Sequence, residues 1–222
     1  MIVGNRKEFQ EIVGMLGSNR RVLLLGCNEC VTVCGVGGEK EVGVLASELR
    51  IHWKTAGEAF EVREHTLERQ CDYEYIDQVR SFVGDYDVVL SMACGAGVQY
   101  VAEAYRTKLV MPAVNTTFLG VTLEQGVWSE RCQGCGACIL DMTGGVCPIA
   151  RCAKSLMNGP CGGSSGGKCE IDKEVDCGWQ LIIDRLTELG QLDRYEDIMP
   201  VKDWRSSREA GPRKRIREDL RL

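Results

Sequence analysis

The stretch VLLLGCNECVTVC, Val22 to Cys34, decides the fold. Its first half, VLLLGC, is a short unbroken apolar run, the pattern of a strand buried on both faces of a parallel sheet. Its second half places Cys27, Cys30 and Cys34 just beyond the end of that strand. On either side, helix and strand signals alternate. FQEIVGMLG (9–17) reads as a short leading helix, and EVGVLASELRIHW (41–53) has helical spacing. AFEVREHT (59–66) alternates like a strand, DYEYIDQVRSF reads as a helix, and YDVVLSMAC as a second buried strand. VQYVAEAYR is again helical, and KLVMPAVNT (108–116) completes the series. Strands alternating with helices imply an α/β fold with a small open parallel sheet of about four strands, flavodoxin-like or Rossmann-like.

Beyond this domain, residues 1–116, the character changes. Over 117–190 glycine and cysteine dominate and apolar runs shorten, until WQLIIDRLTELG returns to an amphipathic helix. Such a segment buries little apolar area and needs another source of order, such as bound metal. Residues 191–222 read as a basic, exposed tail, with eight Lys/Arg against four Asp/Glu from Lys202 on. The net charge of −5 argues against nucleic acid as a partner. No apolar run approaches the ~18 residues that insertion into a membrane needs. With no export signal in the sequence, a cytoplasmic location is expected.

Thirteen cysteines in such a setting point to metal thiolates rather than disulfides. Only His52 and His65 could add imidazole. CQGCGAC supplies Cys132, Cys135 and Cys138, and Cys147 follows directly before Pro148. Its first two spacings are those of C-x2-C-x2-C-x3-C-P, the run that holds cubane iron–sulfur clusters in bacterial ferredoxins, but eight residues precede the Cys-Pro pair here. Zinc more often takes two separated C-x2-C pairs, so iron–sulfur is the better reading of this group. Cys152, Cys161, Cys169 and Cys177 bring the thiolates of the region to eight, enough for two four-ligand sites.

In the first half, loops at the carboxyl ends of parallel strands converge on one edge of the sheet, where α/β folds place ligands. A site of Cys27, Cys30, Cys34 and Cys94 is therefore expected there, with Cys71 as the substitute. The stretch GGSSGGKC (162–169) imitates a phosphate loop, but it lacks the strand before and the helix after that such a loop requires. Cys169 also stands where a hard oxygen ligand for magnesium would be needed, so it reads as a metal ligand. No catalytic constellation is apparent.

ERCQGCGACILDMTGGVCPIARCAKSLMNGPCGG, with GKCE and DCGWQLIIDRLTELGQLD after it, resembles the cysteine-rich methylenetetrahydrofolate reductase C-terminal domain family over about 130–193. A free-standing version preceded by an α/β half is similar to the MetV-type small subunits of acetogen-type reductases. LLLGCNECVTVCGVGG and MACGAGVQ match more loosely. The resemblance implies a MetF-type flavoprotein partner that interconverts methylene- and methyl-tetrahydrofolate in one-carbon metabolism. Flavin and folate are then expected on that TIM-barrel subunit, which typically needs about 250 residues. This chain would be a non-catalytic subunit with two or three [4Fe–4S] clusters, zinc being an option at one site. It would pass electrons between the flavin and a further redox subunit. The alternative is a zinc-stabilised adaptor that scaffolds the flavoprotein without redox chemistry.

Overall fold

The computed structural model describes residues 1–221. They form two compact units, Met1–Trp128 and a second from Ser129 onward. The first contains β1 (Ile2–Arg6), α1 (Phe9–Leu16), β2 (Arg21–Cys27), α2 (Cys30–Val33) and α3 (Glu39–Thr55). It continues with β3 (Glu61–Leu67), α4 (Tyr73–Ile76), β4 (Val88–Ser91), α5 (Gly95–Ala104), β5 (Leu109–Pro112) and β6 (Val114–Glu124). β7 (Val127–Cys132) leads into the second unit.

Four strands form the expected parallel sheet, in the order β3-β2-β4-β5. Counted among themselves these run 2-1-3-4, the flavodoxin-like order, with the switch point between β2 and β4. β2 shows why the apolar run had to be a central strand. Val22 and Leu24 face one core layer with α3 residues Val42, Leu45 and Leu49. Leu23 and Leu25 face the other, with Val89 and Val101. Each fully buried aliphatic side chain of this kind contributes roughly 1.5–3 kcal/mol. α3 is well terminated: Glu41 accepts from the Gly38 N–H at 3.0 Å, and His52 and Lys54 lie in the last turn.

One expectation needs correction. DYEYIDQVRSF is not one helix but α4 followed by 3-10 turns at Asp77–Val79 and Val83–Asp85. Ile76, Val79 and Val83 still reach the core from this tighter backbone, so burial is kept while the regular helix is not. The first compact unit runs on to Trp128. β6 pairs antiparallel with β1, Ile2 opposite Leu119 and Arg6 opposite Val114, in a three-stranded sheet of order β1-β6-β7. This second sheet had no counterpart in the sequence reading.

The second unit contains α6 (Pro148–Arg151) and α7 (Gly178–Glu188) around a small core of Trp179, Ile182, Leu186 and Met199. The phosphate-loop look-alike is a two-residue hairpin. Ser165 and Lys168 exchange backbone hydrogen bonds across Gly166 and Gly167, whose φ values of 59° and 77° suit a type I′ turn. The expected final helix is α7.

Candidate metal centres

At the sheet edge, β2 ends on Cys27, α2 starts on Cys30 and α5 is capped by Cys94. Burial pushes the Cys27 thiol above the usual range; backbone hydrogen bonds from Gln70 and Glu29 pull it back, and nearby Cys71 and Cys94 add to the rise. The Cys71 thiol is raised by burial and then by Cys94, with a smaller push from Cys30. Cys34 behaves differently. Its Sγ lies 3.5 Å from the Cys30 carbonyl and 3.6 Å from that of Val31, and it packs among core residues. Burial raises this thiol too, offset by a backbone hydrogen bond from Gly4 of β1.

A polar residue that sequence reasoning missed ties these loops together. Gln70 is completely buried. Its Nε2 donates to the Leu25 and Gly26 carbonyls at 2.7 and 2.9 Å, and its Oε1 accepts from Ser91 Oγ at 2.7 Å. Flanked by Arg69 and Cys71, it carries no periodic signal in the sequence.

In the second unit, Cys132 closes β7 and its sulfur accepts the Gly134 N–H at 3.3 Å. Cys132 and Cys138 are exposed and Cys135 is half-buried. The segment expected to be an exposed tail is largely exposed, and two of its side chains reach this loop. Ser206 Oγ donates to the Cys135 carbonyl at 3.0 Å, and Arg213 Nη1 to the Gly134 carbonyl at 2.7 Å. The neighbouring Ser207 is only 2% exposed. Cys147 caps α6, with Pro148 at its first position.

The remaining four cysteines, Cys152, Cys161, Cys169 and Cys177, border one small cavity of about 20 Å³, walled also by Lys154 and Glu170. Three elements bring them there. Cys152 follows α6, Cys169 leaves the hairpin with its N–H on the Val175 carbonyl at 2.8 Å, and Cys177 caps α7. Glu170 lies 3.2 Å from the Cys161 sulfur and is ion-paired with Lys154 at 2.6 Å, which holds its carboxyl below the usual range. A cavity of this size admits about one water-sized guest. The donors are all thiols, which suits zinc or iron–sulfur chemistry. Among the described residues, no three His, Cys, Asp or Glu side chains are already drawn together as around a bound ion.

The histidines take structural positions. His52 packs edge-on against Phe9 and Trp53, and His65 against Phe82. No helix among the described residues is long and apolar enough to cross a membrane.

An open flavodoxin-like sheet with cysteines at its switch point, followed by a small thiol-rich unit, defines a two-unit α/β protein. Residues 111–205 match the family described as methylene-tetrahydrofolate reductase C terminal. All eight cysteines from Cys132 to Cys177 fall within the matched segment. No curated protein and no solved structure matches the chain.

Proposed function

We propose that this chain is the MetV-type small subunit of a flavin-dependent methylenetetrahydrofolate reductase, carrying electrons to or from a MetF-type flavoprotein. The observation that carries the reading is the coincidence of the family segment with the eight clustered cysteines, four of which line one cavity. An open four-stranded sheet is not the eightfold barrel expected of the flavin subunit, which supports a reading in which flavin and folate would lie on the partner.

Cys132, Cys135 and Cys138, with Cys147, would hold one [4Fe–4S] cluster. A second would sit at the sheet edge on Cys27, Cys30, Cys94 and one further cysteine, whether Cys34 or Cys71. The quartet of Cys152, Cys161, Cys169 and Cys177, which borders one small cavity, would take a third cluster or a zinc ion. Bound clusters supply one-electron transfer, matching the flavin's ability to exchange electrons singly or in pairs. The chain's own contribution is to hold the thiolates, aim backbone N–H groups such as that of Gly134 at sulfur, and shield the loop with the 202–213 strap.

Iron, acid-labile sulfide and zinc per chain, measured on anaerobically purified protein, test this directly. The expected protein is brown, with absorbance near ~400 nm that bleaches on reduction. It should also co-purify with a co-expressed flavoprotein subunit. Colourless protein holding stoichiometric zinc and no iron would refute electron transfer and favour the zinc-stabilised adaptor.

A further inference from the structure

We propose that Cys71, and not Cys34, completes the thiolate set at the sheet edge with Cys27, Cys30 and Cys94. The assignment rests on the proposed metal-carrying function and goes beyond it by choosing the fourth ligand and the loop that delivers it.

Strand order is the first argument. β3 and β4 flank β2, so the loops after all three strands leave the sheet side by side. Cys27 is the last residue of β2, Cys94 lies three residues beyond β4, and Cys71 lies four beyond β3. The loop after β3 is then fastened to both neighbours. Asn28 N–H donates to the Leu67 carbonyl at 2.9 Å, and the Cys27 thiol lies 3.8 Å from the Glu68 carbonyl. Gln70, next to Cys71, bonds to the Leu25 and Gly26 carbonyls just before Cys27, and to Ser91 at the end of β4. On the α5 side the approach is closer still. A Cβ built on Gly97 would lie 3.0 Å from Gln70 Cβ and 2.8 Å from Ala93 Cβ, so the segments bearing Cys71 and Cys94 touch with no side chain between them.

Cys34 is placed for a different task. It follows the single turn of α2, its sulfur turned back on the carbonyls of Cys30 and Val31. It is 5% exposed and packs in the apolar cluster with Val31 and Val42, as a small hydrophobe does. Cys71 is exposed, and Cys30 and Cys94 are half-buried. A set closed by Cys71 would therefore have one wall in the core at Cys27 and one side open to solvent, as electron exchange with a partner requires.

The experiment uses the full chain, prepared anaerobically, with Cys71→Ser, Cys34→Ala and Cys27→Ser as variants. Iron, sulfide and zinc are counted, and the reduced proteins are compared by electron paramagnetic resonance. Cys27→Ser should remove the edge metal, Cys71→Ser should remove the same amount with the same spectral component, and Cys34→Ala should keep the wild-type count. Full metal in Cys71→Ser, or an equal loss in Cys34→Ala with unchanged circular dichroism, overturns the assignment while leaving the proposed function intact. Wild-type protein with neither iron nor zinc overturns both. A second measurement needs no variant. Mass-spectrometric alkylation should find Cys71 protected in the metal-loaded chain and reactive after chelation; free reaction before chelation overturns the assignment.

Discussion

Replacing Gln70 by methionine should destabilise the first unit out of proportion to its modest change in volume. The side chain is fully buried and makes three hydrogen bonds, two to main-chain carbonyls and one from Ser91. Methionine of similar length keeps the packing and deletes all three. The Leu25 carbonyl still accepts the Met92 N–H at 2.8 Å, so its loss counts little. The Gly26 carbonyl likewise stays paired in the β2–β3 ladder, where Leu67 lies opposite Cys27, so only the Ser91 hydroxyl loses the partner it donates to, at about 1–3 kcal/mol. The expected penalty is therefore roughly 1–3 kcal/mol, a sizeable share of a domain's stability. Urea unfolding of the full chain measures it, with amide exchange in β2 and β4 isolating the first unit from the second. Ser91→Ala supplies the control. The double variant no longer strands the hydroxyl, so its cost should fall about 1–2 kcal/mol short of the sum of the singles. A Gln70→Met penalty below about 1 kcal/mol, or strict additivity in the cycle, would refute the idea that Gln70 fastens the edge loops.

The second unit offers two further tests. A Cβ on Gly178 would lie 2.6 Å from the Arg151 carbonyl oxygen and 2.9 Å from the Cys152 nitrogen, both main chain. Gly178→Ala should push Cys152 and Cys177 apart, lower the melting temperature and reduce metal bound by the quartet; wild-type metal content would refute the convergence. Truncation after Val201 removes Ser206 and Arg213 from the 134–137 backbone. Alkylation of Cys135 in chelated protein should then speed up several-fold, whereas an unchanged rate would make the strap a bystander. A third test concerns acid stability. Burial, followed by the charge of Arg63, holds the His65 pKa below its ordinary value, and its Nε2 is buried without a partner. The unfolded chain therefore takes up the proton first. The stability that neutral His65 preserves is intact above about pH 6.5 and declines as pH falls through that value toward the lower folded pKa. His65→Gln should flatten that decline, as read from unfolding midpoints between pH 7 and pH 5.

How much of this could be seen in the sequence depended on which physical signal each element carries. β2 and β4 were legible because both faces are buried, and continuous apolar runs such as VLLLG have few other uses. β1 and β6 were not. β6, VNTTFLGVTLE, is largely exposed and rich in threonine, so no apolar face marks it. Its β-branched residues and the turn at Gly126, with φ 84°, were the available clues. The candidate metal centres divide in the same way. Cysteines close in sequence, Cys27 with Cys30 or the Cys132–Cys138 run, are grouped by spacing alone. The cavity of Cys152, Cys161, Cys169 and Cys177 required the hairpin at Gly166–Gly167 and the start of α7 to fold back on α6, and no periodicity encodes that. The choice between Cys34 and Cys71 is the sharpest case. By sequence, Cys34 belongs with Cys27 and Cys30. A single helical turn faces it into the core, while the order β3-β2-β4 carries Cys71 alongside Cys27 and Cys94. Strand order is a property of the whole sheet, set by which helices cover which face, so the nearest cysteine in the chain need not be the nearest one in space.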